Sequence, residues 1–108
     1  MEDKITDYED FYKFYLKEHR NYTCRLLHII GTSIVLALLI TSVIHLNPYW
    51  LLFVPLTGYG FAWVGHFFFE KNQPATFKYP LWSLKSDFKM YFDVLGGKLS
   101  LDASKDPN

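Results

Sequence analysis

Histidine is the residue in this sequence whose type and spacing most directly suggest chemistry, and three of the four histidines could share one site. His28 lies near the start of one long apolar stretch, and His66 lies near the end of a second. If the stretches form antiparallel helices, these two side chains lie at nearly the same depth, and His19 lies just outside the same end. His45 follows 17 residues after His28, which places it about 25 Å further along a helix. We therefore expect three histidines to converge and His45 to lie apart.

Two carboxylates could complete a metal site with these imidazoles. Glu70 follows His66 by four residues, on the same face of a helix, and Asp87 lies on a later helix that could fold back. Neutral imidazoles with a carboxylate suit a first-row transition metal, and open positions beside such ligands suit iron and O2. The candidate metal ligands are His19, His28, His66, Glu70 and Asp87, and the first four are also the candidate catalytic residues.

Two apolar stretches must position these side chains. Residues 26–46 and 49–69 contain no Asp, Glu, Lys or Arg, and each approaches the roughly 20 residues that a helix needs to cross a bilayer core. Only Asn47 and Pro48 separate them, a turn signal that forces the helices to run antiparallel. We therefore predict an all-α integral membrane protein, a hairpin of transmembrane helices at 26–46 and 49–70. Buried helices of a soluble protein are the alternative, but they would need a larger protein to cover them.

Amphipathic helices are predicted on both sides of the hairpin, and the chain 1–108 is expected to form a single membrane domain. Residues 5–24 should form an interfacial helix, because aromatic side chains and His19 recur on one face at helical spacing. Residues 80–96 should form a second amphipathic helix, which a pair of glycines ends. The polar tail 101–108 should be flexible.

The distribution of charge predicts the orientation and argues against one class of partner. Arg20, Arg25, Lys71 and Lys78 flank the hairpin at one end, whereas the turn contains no Lys or Arg. The positive-inside rule then places both termini in the cytoplasm, in a bacterial inner membrane or, in a eukaryote, in the endoplasmic reticulum. Lys plus Arg equals Asp plus Glu at 11 each, so no nucleic-acid partner is expected. The lipid bilayer is the expected partner, and a homo-oligomer stays open.

The order of these residues resembles a known membrane family. One signature covers residues 11–21 (FYKFYLKEHRN) and 24–32 (CRLLHIIGT), a second lies within 58–77 and includes GHFFFEKNQPATF, and a third begins at Tyr79 with YPLWSL. In these motifs the chain is similar to the 2-hydroxy fatty acid dioxygenase-like membrane family. It has the short, two-span form, whereas the characterised fungal member is longer.

The resemblance implies an iron-dependent enzyme of fatty acid alpha-oxidation, which uses O2 to shorten a 2-hydroxy fatty acid by one carbon. By motif it assigns Fe(II) to His19, His28 and His66, and it carries Glu70 and Asp87 over as polar positions. A fatty acyl substrate would then find cations and amides near its carboxylate. The candidates for binding it are Arg20, Asn21, Arg25, Lys71 and Asn72.

Two other functions stay open at the level of the sequence. A non-catalytic hairpin that shapes the membrane or scaffolds partners needs no metal and would make the histidines dispensable. A haem protein with His28 and His66 as axial ligands would show a Soret band, which non-haem iron lacks.

Overall fold

Helices make up all the regular secondary structure in residues 5–106, the part of the chain that this computed structural model describes. The all-α prediction is therefore confirmed. The α-helices are α1 (Tyr8–Lys17), α2 (Tyr22–Ile44), α3 (Phe53–Val64) and α4 (Pro80–Leu95). The shorter segments are 3-10 turns at Pro48–Leu52, Ala75–Phe77 and Ala103–Lys105 and a π-helical segment at Gly65–Glu70.

The centre of the fold is a hairpin with two long apolar arms. One arm is α2, and the other is Pro48–Glu70, which joins a 3-10 turn, α3 and the π-helical segment; each is 23 residues long and apolar enough to cross a membrane. Few of their residues are buried inside the protein, so their apolar surface needs cover from outside, which lipid would supply. The predicted two-helix hairpin is confirmed. Its first arm begins at Tyr22, before the predicted residue 26, because the Asn21 side chain accepts a hydrogen bond from the Cys24 N–H and caps the helix.

Glycines let the two arms approach closely at two levels. A Cβ added at Gly31 would lie 2.9 Å from the Cβ of Phe61, and one at Gly65 would lie 2.9 Å from the Sγ of Cys24. Small residues are needed wherever membrane helices pack this tightly. The contact at Gly65 is adjacent to His66, so it fixes how near that histidine lies to α2.

The segment predicted as one interfacial helix over 5–24 is divided. α1 ends at Lys17, the chain turns, and α2 begins at Tyr22. The aromatic face of α1 packs against α4 and the loop before it instead of being free to face lipid: Phe11 and Tyr15 are buried, and the Tyr12 hydroxyl donates to Asp93 at 2.9 Å. An amphipathic pattern indicates that one face of a helix is shielded from water, but it does not distinguish lipid from protein. Here α4 and the loop before it shield that face.

The second flanking helix lies where the sequence predicts it, and the tail that follows contacts the hairpin. α4 covers Pro80–Leu95, close to the predicted 80–96. The flexibility of the tail 101–108 stays a prediction. Its described part, up to residue 106, forms a short 3-10 turn at Ala103–Lys105. Asp106 makes an ion pair of 2.6 Å with the buried guanidinium of Arg25, which brings the tail to the hairpin. Residues 107–108 lie outside the described part.

Candidate metal centre

Three buried histidines meet at the end of the hairpin where α1 joins α2. His19 follows α1 in the turn, His28 lies on α2, and His66 lies in the π-helical segment. One candidate ligand nitrogen from each lies within 4.8 Å of the others. π-helical segments are uncommon and occur frequently at functional sites. His45 lies at the other end of α2, near the ring of Trp50, so the structure groups the histidines as the sequence predicts.

The hydrogen bonds of His19 and His28 define which nitrogens are free. His19 Nδ1 lies 2.6 Å from the carbonyl oxygen of Tyr15, and His28 Nδ1 lies 2.8 Å from that of Cys24. A carbonyl oxygen can only accept, so each Nδ1 carries the hydrogen and donates, and each Nε2 keeps an unprotonated lone pair. The two Nε2 atoms lie 3.2 Å apart. Two lone pairs that face each other repel unless a cation lies between them.

Asn72 gives His66 the same tautomer, with the hydrogen on Nδ1. Its Nδ2 donates to the carbonyl oxygen of Glu18 at 2.9 Å, and its Oδ1 lies 2.7 Å from His66 Nδ1. The Asn72 oxygen therefore accepts from His66 Nδ1–H, which leaves His66 Nε2 available for a ligand bond. Partners of this kind fix the orientation of a metal-binding histidine and raise its basicity. The sequence proposes Asn72 as a substrate-binding residue, whereas the structure gives it this orienting contact.

The group of three histidines could hold a metal ion. Two nitrogens bound about 2.1 Å from a common metal lie roughly 3.0–3.4 Å apart, depending on the geometry, and the His19 to His28 distance falls in that range. The cavity between the histidines has a volume of about 10 Å³, room for about one water-sized group. That space cannot hold a porphyrin, so the geometry favours an ion over haem.

The environment of His19 keeps its imidazole neutral. Burial, and then the neighbouring imidazoles of His28 and His66, hold the pKa of His19 well below its usual range. A histidine must be neutral to bind a metal, so this shift favours the form that acts as a ligand.

The two carboxylates have different positions. Glu70 accepts a hydrogen bond of 2.5 Å from the backbone N–H of Asn21, so it ties the end of the second arm to the start of the first. Asp87 lines the cavity between the histidines and accepts a hydrogen bond from the Tyr15 hydroxyl. Burial raises the pKa of Asp87 to about 6. Neither belongs to the group that the structure brings within ligand distance among the described residues.

Two residues at the site were not singled out from the sequence. The Tyr15 ring stacks on His19 with ring centres 3.9 Å apart, which links Asp87 to the histidine through one side chain. Ser83 lines the same cavity, and its buried hydroxyl has no hydrogen-bond partner in the described part of the chain. In the sequence both lie within the family signatures, and Tyr15 precedes His19, and Ser83 precedes Asp87, by four residues. An unpaired buried hydroxyl is costly unless a bound molecule satisfies it.

The predicted substrate cations lie around the site and not in it. Arg25 is buried, and its guanidinium donates to the carbonyl oxygens of His19 at 2.5 Å and Ser100 at 2.7 Å as well as to Asp106. Arg20 and Lys71 are exposed. The remaining candidate, Asn21, caps α2 and donates its backbone N–H to Glu70.

A helical protein with two membrane-length arms and a buried three-imidazole site is the class that this fold and geometry define. The family model described as 2-hydroxy-palmitic acid dioxygenase Mpo1-like matches residues 5–99, and the chain belongs to this Mpo1-like family. No curated protein and no solved structure matches the chain. The match of the family model over residues 5–99 confirms the predicted family resemblance.

Proposed function

We propose that this chain is an iron-dependent membrane dioxygenase that uses O2 to shorten a 2-hydroxy fatty acid by one carbon. The observation that carries the proposal is the pair of unprotonated Nε2 atoms of His19 and His28, 3.2 Å apart and beside the buried His66. Family membership supports this class of reaction, because the description of the family names a 2-hydroxy-palmitic acid dioxygenase.

The three histidines would hold Fe(II) through Nε2, and their three nitrogens would leave positions open for substrate and O2. Bound iron supplies the activation of O2. Asn72 fixes the orientation of His66 through the hydrogen bond to Nδ1. Glu70 acts as a brace between the two arms, because its carboxylate already accepts the Asn21 N–H.

Ser83 and Asp87 would handle the polar head of the substrate. The unpaired Ser83 hydroxyl donates to the carboxylate of the hydroxy acid, which relieves the cost of its burial. Asp87, whose pKa burial raises to about 6, accepts the proton of the substrate 2-hydroxyl. The exposed cations Arg20 and Lys71 would attract the anionic substrate to this end of the hairpin.

Because the site lies at one end of the hairpin, it would lie at a membrane surface. With Arg20 and Lys71 at the same end and no Lys or Arg in the turn, the site and both termini would face the cytoplasm, at a bacterial inner membrane or, in a eukaryote, the endoplasmic reticulum. An apolar substrate would reach the site from the bilayer.

The test is an activity assay on reconstituted protein loaded with Fe(II) and supplied with O2 and a long-chain 2-hydroxy fatty acid. We expect chromatography to detect the acid that is one carbon shorter. A chelator and His28→Ala should each abolish the product, whereas His45→Ala, a matched change at the far end of α2, should not. If iron-loaded protein forms no product while His28→Ala still complements a deletion strain, the protein acts as a non-catalytic scaffold.

A further inference from the structure

A second cavity, of about 340 Å³, lies between α2, α3 and α4 and adjoins the histidine site. We call it the interhelical groove. It shares lining residues with the small cavity between the histidines, namely His28, Tyr59, Ala62 and Asp87. A molecule in the groove would therefore contact side chains that also line the cavity between the histidines.

The length of the groove follows from the residues of α2 that line it. Thr32, Val35 and Leu39 follow His28 at intervals of four, three and four residues, so all four line one face of the helix. The helix rises about 16 Å from His28 to Leu39 at 1.5 Å per residue. An extended chain advances about 1.2 Å per bond, so this length corresponds to roughly 13 bonds of an unbranched chain.

A glycine on α3 keeps the middle of the groove open. A Cβ added at Gly58 would lie 3.4 Å from the Cγ2 of Val35, so a larger side chain there would occupy the space. Gly60 lies on another face of α3: a Cβ there meets nothing within 4 Å, and the residue lines a separate hollow with Leu56 and Val64. The chain thus offers two glycines on one helix, of which only Gly58 lines the groove.

The polarity of the lining specifies one kind of occupant. An imidazole and a carboxyl group, from His28 and Asp87, lie at the end shared with the metal centre, and the far end is apolar around Leu39 and Val54. This arrangement suits a molecule with one polar head and one unbranched apolar tail. We infer that the interhelical groove binds the acyl chain of the substrate and that its length sets the preferred chain length. The inference rests on the proposed function for the identity of the head group.

Photo-crosslinking of the wild-type protein tests the location without relying on turnover. The probes are 2-hydroxy fatty acids that carry a diazirine either next to the polar head or at the far end of the chain. We expect mass spectrometry to find the head probe near Thr32 and Ala62 and the tail probe near Leu39 and Val54. Labelling spread over the lipid-facing hollow at Leu56 and Val64, or equal displacement of the label by a diacyl phospholipid, would show ordinary lipid contact and overturn the inference.

A matched pair of variants tests whether the interhelical groove sets the preferred length of the acyl chain. Gly58→Leu should lower the ratio of long-chain to short-chain affinity at least about tenfold, because the distal methylene groups lose their burial. Gly60→Leu should leave the ratio unchanged. The inference is wrong if Gly58→Leu lowers the affinity for all chain lengths equally while iron binding is retained. If Gly58→Leu does not fold, the cross-linking pattern decides.

The two proposals fail in distinguishable ways. Tail labelling at Leu39 with no product formed would leave the groove as a binding site and reject catalysis. Product formation with tail labels outside the groove would retain the proposed function and reject the inference.

Discussion

Replacing Asp106 by Asn should destabilise the protein although the residue lies far along the chain from the histidine site. Asp106 makes two hydrogen bonds to the guanidinium of Arg25, at 2.9 and 2.6 Å. The Arg25 side chain is 0% exposed and that of Asp106 is 11% exposed, so the variant leaves a buried positive charge without its counter-charge.

The expected loss of stability depends on the hydrogen bonds that Arg25 retains in the variant. Removing one partner of a buried ion pair costs about 3–5 kcal/mol. Arg25 still donates to the carbonyl oxygens of His19 and Ser100, and the amide oxygen of the substituted side chain still accepts one bond. We therefore expect a loss of about 2 kcal/mol, which corresponds to a fall in Tm of about 10 °C for a domain of this size.

The assay is thermal unfolding in detergent, followed by circular dichroism, with Asp102→Asn as the matched control. Asp102 is an exposed carboxylate of the same tail whose side chain accepts hydrogen bonds from the backbone N–H and the hydroxyl of Ser104, so its replacement should change Tm little. Because Arg25 holds the carbonyl oxygen of His19, Asp106→Asn should also weaken metal binding about tenfold. Equal Tm values for Asp106→Asn and wild type would refute the contact between the tail and Arg25.

Two further predictions follow from single contacts, and a third follows from the distribution of charge. Asn72→Ala should lower metal affinity about 10–100-fold with the helix content unchanged, because the hydrogen bond that orients a ligand histidine is lost; isothermal titration with the metal measures it. Gly65→Ala should cost about 1–3 kcal/mol by overpacking against α2, whereas Gly60→Ala should be neutral or slightly stabilising, and denaturant titration of both variants separates them. A cysteine probe at Asn47 should react with an impermeant reagent added outside intact cells and one at Lys105 should not; labelling at Lys105 would reverse the orientation.

The hairpin and the meeting of the histidines could be predicted because both depend on local pattern. Long uncharged stretches fix which residues form the arms, and a two-residue link fixes their antiparallel register. In that register His28 and His66 must lie at one depth, with His45 far from both. No information about side-chain contacts was needed for that conclusion.

Contacts between distant segments could not be predicted in this way. Arg25 and Asp106 are separated by 81 positions, and nothing in the local sequence of either residue indicates the other. The sequence alone therefore predicts a substrate cation at Arg25 and a flexible tail, and it does not predict their ion pair. The aromatic face of α1 has the same periodicity whether lipid or α4 covers it. The role of Asn72 depends on the left-handed backbone conformation at Lys71, where φ is 62°, because that residue ends the π-helical segment just before Asn72.

X-ray absorption at the iron edge of purified, Fe(II)-loaded protein shows whether His19, His28 and His66 bind one metal ion through Nε2. We expect about one iron per chain with scattering from three imidazoles, no Soret band, and loss of the imidazole signal in the variant with all three histidines replaced by alanine. His45→Ala should give the wild-type spectrum. If the triple variant binds iron with an unchanged spectrum, or if His45→Ala loses the iron, these three histidines are not the ligand set.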